Sequence, residues 1–291
     1  MKHFTIVYKI FIYLGIISVL ISCRDLVQDQ FPDIQKVVIN SIFSSQQELI
    51  IHVSFTAKMN DTTFQNIENA SIKMYKDDQY VENLIYIGEG CYSSSDLLEE
   101  NHKYSCEITV PNQGTYYCSD FLPKKQIISN IKHVKIAGIT DEGELYSSIT
   151  VKIENQENER KYYQLIIKEV NENENSYVNL AQFTDPVLIS EGLPILVFSN
   201  ENFNGNSYNM TVNYTATSFS NYQPIFKPIQ VELRSISYNY YQYLKSMYIY
   251  QQGIYPNFDN TPTYSNIYSN IQGTYGIFAG YSYFLSDTII P

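Results

Sequence analysis

Three histidines and three cysteines downstream of position 23 are the residues that could bind metal or act as nucleophiles: His52, His102 and His133, with Cys91, Cys106 and Cys118. Zinc needs its ligands gathered around one ion. A cysteine nucleophile needs a histidine and an orienting group beside it. Only His102 and Cys106 lie close in sequence, four residues apart. On a helix they would share a face, but the local pattern is a strand, where four residues span ~13 Å. Neither zinc binding nor cysteine catalysis is expected. In an exported chain the thiols can oxidise instead, Cys106 with Cys118 across a hairpin or Cys91 with Cys106, leaving one thiol odd.

Two other clusters imitate functional sites. Asn200-Glu-Asn202-Phe-Asn204-Gly205 has the spacing of the front half of a calcium loop. It lacks the first carboxylate, and Thr211 stands where the bidentate glutamate belongs. A hairpin turn with Gly205 at positive φ accounts for it better. Asp141, Glu142 and Glu144 crowd around Gly143 as a turn, whereas glycosidase carboxylates flank a substrate bond from opposite sides. The sequence carries no nucleophile elbow, zinc-protease helix, phosphate-cradling loop or dinucleotide fingerprint. No cofactor, no metal and no enzymatic activity are therefore expected.

Tyrosine is in excess, with 28 Tyr and 15 Phe against no Trp. Aromatic platforms bind sugars and peptides, yet tyrosine also suits strands and half-buried cores. Most of the tyrosines fit that second role. Tyr243 and Tyr250 differ, because they lie off the apolar stripe of an expected helix, and they are the candidate ligand or partner contacts.

These residues need elements to position them. Residues 1–22 hold no acid, begin with Lys2 and Lys9, and continue as an uncharged apolar run over 10–21. That run is short of the ~20 residues that span a bilayer. Leu20-Ile21-Ser22-Cys23 follows it, the pattern of a lipoprotein signal with Cys23 as the lipidated residue. Residues 1–22 are thus expected to be a signal peptide and 23–35 a lipidated tether. Three acyl chains would hold the protein stably on a membrane. The net charge of −11, more negative still without Lys2 and Lys9, repels phosphate backbones and excludes nucleic acid as a partner.

From residue 36 the pattern is period two with turn punctuation. Leu49, Ile51, Val53 and Phe55 alternate with Ile50, His52, Ser54 and Thr56, and Ala70, Ile72 and Met74 continue the alternation. Pro111 to Gly114 joins 104–110 and 115–119 as a hairpin. Residues 36–122 are expected to form an immunoglobulin-like β-sandwich. The Gly90-Cys91-Tyr92 turn and the Ala70 strand also resemble transthyretin-like modules. Pro123 with Lys124-Lys125 marks the expected boundary, and 123–291 forms a larger β-sandwich. Within it, 229–233 alternates as a strand, Ser237 caps a helix over 238–252, and 274–285 is a closing strand. The fold class is all-β: two β-sandwich-like domains with one α-helix near the C-terminus. On the closing strand Phe278 shares a face with Gly276 and Gly280, opposite Ile277, Ala279 and Tyr281. A strand apolar on both faces is buried between layers, with the helix covering one side through Leu244 and Met247. Deleting 274–291 is expected to unfold the second domain and spare 36–122.

The segment Ser235-Ile-Ser237, Tyr240-Tyr-Gln-Tyr-Leu-Lys-Ser246, Ser269-Asn-Ile-Gln-Gly273 and Gly276-Ile-Phe-Ala-Gly-Tyr-Ser282 resembles the domain-of-unknown-function 4249 lipoproteins of Bacteroidota. Gly273 comes one residue earlier than the family's first glycine commonly does. The resemblance extends loosely back to about residue 36 and contains no catalytic motif. It implies an outer-membrane location and, as partner, a TonB-dependent outer-membrane β-barrel receptor encoded nearby. The expected function is a non-enzymatic accessory or binding lipoprotein. The alternative is a structural or adhesive cell-surface component without a defined ligand. The sequence leaves open the side of the membrane and the ligand.

Overall fold

The structure, a computed structural model, describes residues 35–57, 64–155, 159–170, 176–216, 218–220, 223–254 and 265–291. The expected signal peptide, the tether and Cys23 lie outside the described residues.

The first half of the chain supplies β1 (Val37–Ser44), β2 (Glu48–Phe55), β3 (Ser71–Lys76), β4 (Gln79–Asn83), β5 (Ile85–Gly88), β6 (Cys91–Leu97), β7 (His102–Val110) and β8 (Gly114–Leu122). Next come β9 (Ile128–Ile139), β10 (Leu145–Glu154), β11 (Tyr162–Glu169), β12 (Ser176–Tyr177), β13 (Asn179–Leu180) and helix α1 (Pro186–Ser190). β14 (Val197–Ser199), β15 (Ser207–Thr215), β16 (Ser218–Ser220), β17 (Gln223–Ile225) and β18 (Ile229–Ile236) follow. Helix α2 (Tyr238–Ile254) and β19 (Tyr275–Leu285) close the fold.

A nine-stranded sheet runs β12-β11-β18-β19-β1-β2-β6-β5, with β14 beside β11. It crosses the 122/123 division expected from the sequence, taking strands from both sides. One of its faces is covered by two smaller sheets in succession. The sheet β4-β3-β7-β8 encloses a core of Ile39, Ile51, Tyr92, Tyr104, Ile108 and Leu122. The sheet β13-β15-β10-β9 encloses a second core of Ile149, Val151, Tyr163, Leu165, Val231 and Leu233. The period-two alternation read from β2, β3 and β18, which β10 shares in its burial pattern, is what aims these side chains inward. The architecture is all-β and sandwich-like, with α2 near the C-terminus.

The opposite face of the large sheet carries a third, smaller core of Val197, Ile236, Ile277, Ala279 and Tyr240. Tyr241, Tyr243 and Leu244 of α2 pack on it. Leu244 is thus a core contact, as the sequence suggests, while Met247 turns away. Strand β19 lies between the layers. Phe278 is fully buried in the core shared with β1 and β8, and Ile277 and Ala279 face the helix.

β19 pairs antiparallel with β18 and parallel with β1, with Val38 opposite Tyr275 and Ser44 opposite Tyr281. This corrects the expected effect of truncation. Residues 274–291 do not serve the second half alone, because β1 leans on β19 and Phe278 completes the first core. A side chain on Gly276 would run into the Ile39 carbonyl, so glycine is required for the two strands to approach. Lys36–Pro291 form one compact unit.

α1 escapes a periodicity reading because it is only five residues long. Its local signal is an Asp-Pro pair: Asp185 accepts from the Val187 and Leu188 N–H groups at 3.0 and 3.5 Å, and Pro186 occupies the first turn.

Candidate functional site

Ser237 ends β18 and begins α2. Its hydroxyl accepts from the Tyr240 N–H at 3.1 Å, and its own N–H donates to the Gly280 carbonyl at 3.0 Å. One residue therefore caps the helix and ties it to β19. From that start the helix presents two stripes. Tyr240, Tyr241 and Leu244 face the sheet, and Tyr243 packs at the edge of the same core, so it is not simply exposed off the apolar stripe. Tyr243, Met247 and Tyr250, at i, i+4 and i+7, form a second stripe on one face, and all three line a groove of about 710 Å³. The other wall is the segment 265–276, with Ser265, Asn266, Ile267, Tyr268, Ile271 and Tyr275, and Asn40 of β1 lies along the side. The two tyrosines singled out in the sequence therefore share one site. Both are half-buried, and burial pushes the Tyr243 phenol up, so it stays neutral near pH 7.

A polar latch holds the groove together. The Tyr268 hydroxyl donates to Asn239 Oδ1 at 2.7 Å, and Asn239 Nδ2 donates to Asp120 Oδ1 at 2.8 Å. Asp120 Oδ2 accepts from the Gly280 N–H at 2.9 Å. Burial pushes the Asp120 carboxyl up from 3.8 to about 6, against hydrogen bonds from Ser237, Gly280, Asn239 and Phe121 that favour its ionised form. The Tyr268 N–H also donates to Ser246 Oγ at 2.8 Å, fixing the loop to the helix. On the far side of α2, Lys245 Nζ lies 3.0 Å from Glu191 Oε2, and the Tyr241 hydroxyl donates to the same carboxylate at 2.5 Å. Burial alone would raise the Glu191 carboxyl, but the Tyr241, Ser199 and Lys245 donors outweigh it and hold it low. Helix α2 is therefore clamped on two sides, by Glu191 and by the loop that walls the groove.

The other sequence candidates are scattered. His52 on β2 bonds Asn66 at 3.0 Å, His102 on β7 meets Asp77 at 2.5 Å, and His133 on β9 bonds the Tyr214 hydroxyl at 2.8 Å. Burial pushes the His133 imidazole down, with Lys135 adding to the effect. Cys106 and Cys118 are buried directly opposite each other across β7 and β8, while Cys91 stands on β6 in the large sheet. The structure thus separates Cys91 from Cys106, which the spacing alone could not do.

Asn200 is used structurally: its side chain accepts from the Lys161 N–H and donates to Asn155 Oδ1 and the Glu159 carbonyl. Gly205 has φ of 81°, as the turn requires. Asp141, Glu142 and Glu144 are exposed around the turn before β10. Among the described residues no group of three or more His, Cys, Asp or Glu side chains converges as a metal site, and no helix is long and apolar enough to cross a membrane.

Asp120 and Asn239 are not singled out by the sequence pattern. Asp120 did leave a signal, since it has the same strand parity as the buried Cys118 and Leu122. A charge on the inward face of a strand points to a buried network.

Fold and groove together define an all-β, sandwich-like protein whose C-terminal helix and the segment 265–276 wall a cleft. The family described as domain of unknown function DUF4249 matches residues 25–285, and the chain belongs to that family. No curated protein matches it. A solved structure from Corynebacterium diphtheriae, described as "Putative membrane anchored protein", is similar over 70% of this chain and 55% of its own, at 8% identity and a TM-score of 0.22. The chain therefore spans about half the length of that structure.

Proposed function

We propose that the protein is a lipoprotein held on the outer membrane through Cys23 and works without catalysis, as a binding or accessory component beside a TonB-dependent β-barrel receptor. The observation that carries the binding role is the groove that gathers Tyr243 and Tyr250 opposite residues 265–276. Its tyrosine, amide and hydroxyl walls suit recognition. The histidines and cysteines, by contrast, are spread over separate strands and engaged in structural contacts. Attachment rests on Leu20-Ile21-Ser22-Cys23 following a short apolar run, and the receptor partner rests on the family resemblance.

The test has two arms. Labelled palmitate should enter the wild-type chain and not Cys23→Ala, which should persist as a heavier precursor. Incorporation into the variant would sink the anchoring. Mild-detergent extraction followed by mass spectrometry should recover an outer-membrane barrel with the protein at low and at physiological salt. Its absence under both conditions would remove the partner.

A structural or adhesive role is favoured by one observation. β5 is an edge strand of the large sheet, and its Ile85 and Ile87 are 62% and 56% exposed, a surface suited to self-association. Sedimentation that shows only monomers across a wide concentration range would exclude it.

A further inference from the structure

We infer that the groove between α2 and residues 265–276 binds a short neutral oligosaccharide. This rests on the binding reading above and names the chemical class of ligand for that same site.

The first observation is charge. The protein is strongly acidic, with 30 Asp and Glu against 19 Lys and Arg, yet none of the described lining residues is charged. Among the described residues the nearest cation is Lys36, whose ammonium is spent on Tyr275, 3.4 Å from its hydroxyl and 4.9 Å from its ring centroid, so the lining itself offers a phosphate, sulfate or carboxylate no cation and a basic peptide no acid. The second observation is the pairing of aromatic with amide groups in one lining. Tyr243 and Tyr250 come from the helix and Tyr275 from β19, and Asn40 and Asn266 add their side-chain amides. Sugar rings offer apolar C–H faces that stack on aromatic rings, and equatorial hydroxyls that exchange hydrogen bonds with amides and phenols. A lipid tail would instead need an unbroken apolar wall.

The third observation is unspent hydrogen-bonding capacity. The Ser265 hydroxyl is enclosed and has no partner among the described residues. Buried polar groups are nearly always satisfied, so this enclosed hydroxyl is left for a hydroxyl-bearing ligand to meet. The volume of about 710 Å³ lies within the ~300–1,000 Å³ typical of small-ligand sites.

The experiment is isothermal titration of the detergent-solubilised full chain with maltohexaose, xylohexaose and mannohexaose, each at low and high salt. A polygalacturonic acid fragment and a lysine-rich peptide serve as charged comparisons. At least one neutral hexasaccharide should bind with an affinity unchanged by salt. Tyr250→Ala and Asn266→Ala should each weaken it by about tenfold or more while melting as the wild type does. Tyr250→Phe, which keeps the ring, should retain most of the affinity. No binding by any neutral probe, stronger binding of a charged probe, or affinity indifferent to both alanine variants would each overturn the assignment. Recovery of a barrel receptor is measured separately, so loss of sugar binding and loss of the partner are distinguishable results.

Discussion

Asn270 pairs with the backbone of Phe278 through both ends of its side-chain amide: Nδ2 donates to the Phe278 carbonyl at 2.7 Å, and Oδ1 accepts the Phe278 N–H at 2.9 Å. Pairing of β19 with β18 stops at Tyr281, so the backbone groups of Gly280 and Phe278 on that side would otherwise be left bare. Gly280 is met by Asp120 and the Ser237 N–H, and Phe278 by Asn270. Three side and main chains thus stand in for a missing strand, as backbone accounting requires.

Asn270→Ala should therefore cost about 2–4 kcal/mol, since it strands two groups of a buried strand. Asn270→Asp keeps the acceptor and loses the donor, so it should cost less at low pH, where the carboxyl is protonated, than at neutral pH. Urea unfolding of the two variants checks this, and a loss for Asn270→Ala no larger than for a surface alanine would refute the pairing.

The pH response of Asp120 has a definite sign. Its folded value of about 6 lies above its ordinary 3.8, so the folded protein holds the proton longer than the unfolded chain. The associated stability is fully present below about 3.8 and is lost as the pH rises through about 6, at roughly 3 kcal/mol for two pH units. His133, which burial pushes down, works the other way, losing stability as the pH falls. The measurement is therefore the difference in unfolding free energy between wild type and Asp120→Asn. That difference should shift against the wild type between about pH 4 and pH 6, and a flat difference would show that Asp120 is not a buried carboxyl.

Phe278→Ala should cost about 3–5 kcal/mol. Because Phe278 fills the core of β1 and β8 while its neighbours Ile277 and Ala279 fill the core under α2, proteolytic protection should fall in both halves together. Protection lost only after residue 123 would mean the first half does not depend on β19.

Oxidised glutathione should join Cys106 to Cys118 and leave Cys91 titratable. Each step exchanges a thiol proton and a sulfur–sulfur bond, ending with two reduced glutathione molecules per protein disulfide. Burial, with the neighbouring Cys118 adding to it, pushes the Cys106 thiol well up, so the reaction should be slow at neutral pH and faster in mild denaturant. Peptide mapping that finds Cys91 bonded to Cys106 would contradict the register.

Local pattern carried much of this structure. The alternation in β2, β3 and β18, the hairpin at Pro111 to Gly114, and the Ser237-capped helix are all written within a few residues of themselves. The parallel pairing of β1 with β19 is not, because nothing in Val38 or Tyr275 names its partner. The same holds for Asp120 and Asn270, whose roles exist only once β18 stops short. Tyr243 and Tyr250 were legible as oddities of helical spacing, but the opposite wall of their groove comes from a loop with no periodicity to read.

The ladder between β1 and β19 also sets an order in time. Asn40 meets its neighbour Ile277 across 237 residues of chain, and contacts of such separation form slowly. A chain emerging from its N-terminal end carries β1 with one edge unmet until β19 arrives, and a second copy's β19 can satisfy that edge as well as its own. Folding is then a race between closure within one chain and exchange between two, and dilution decides the winner.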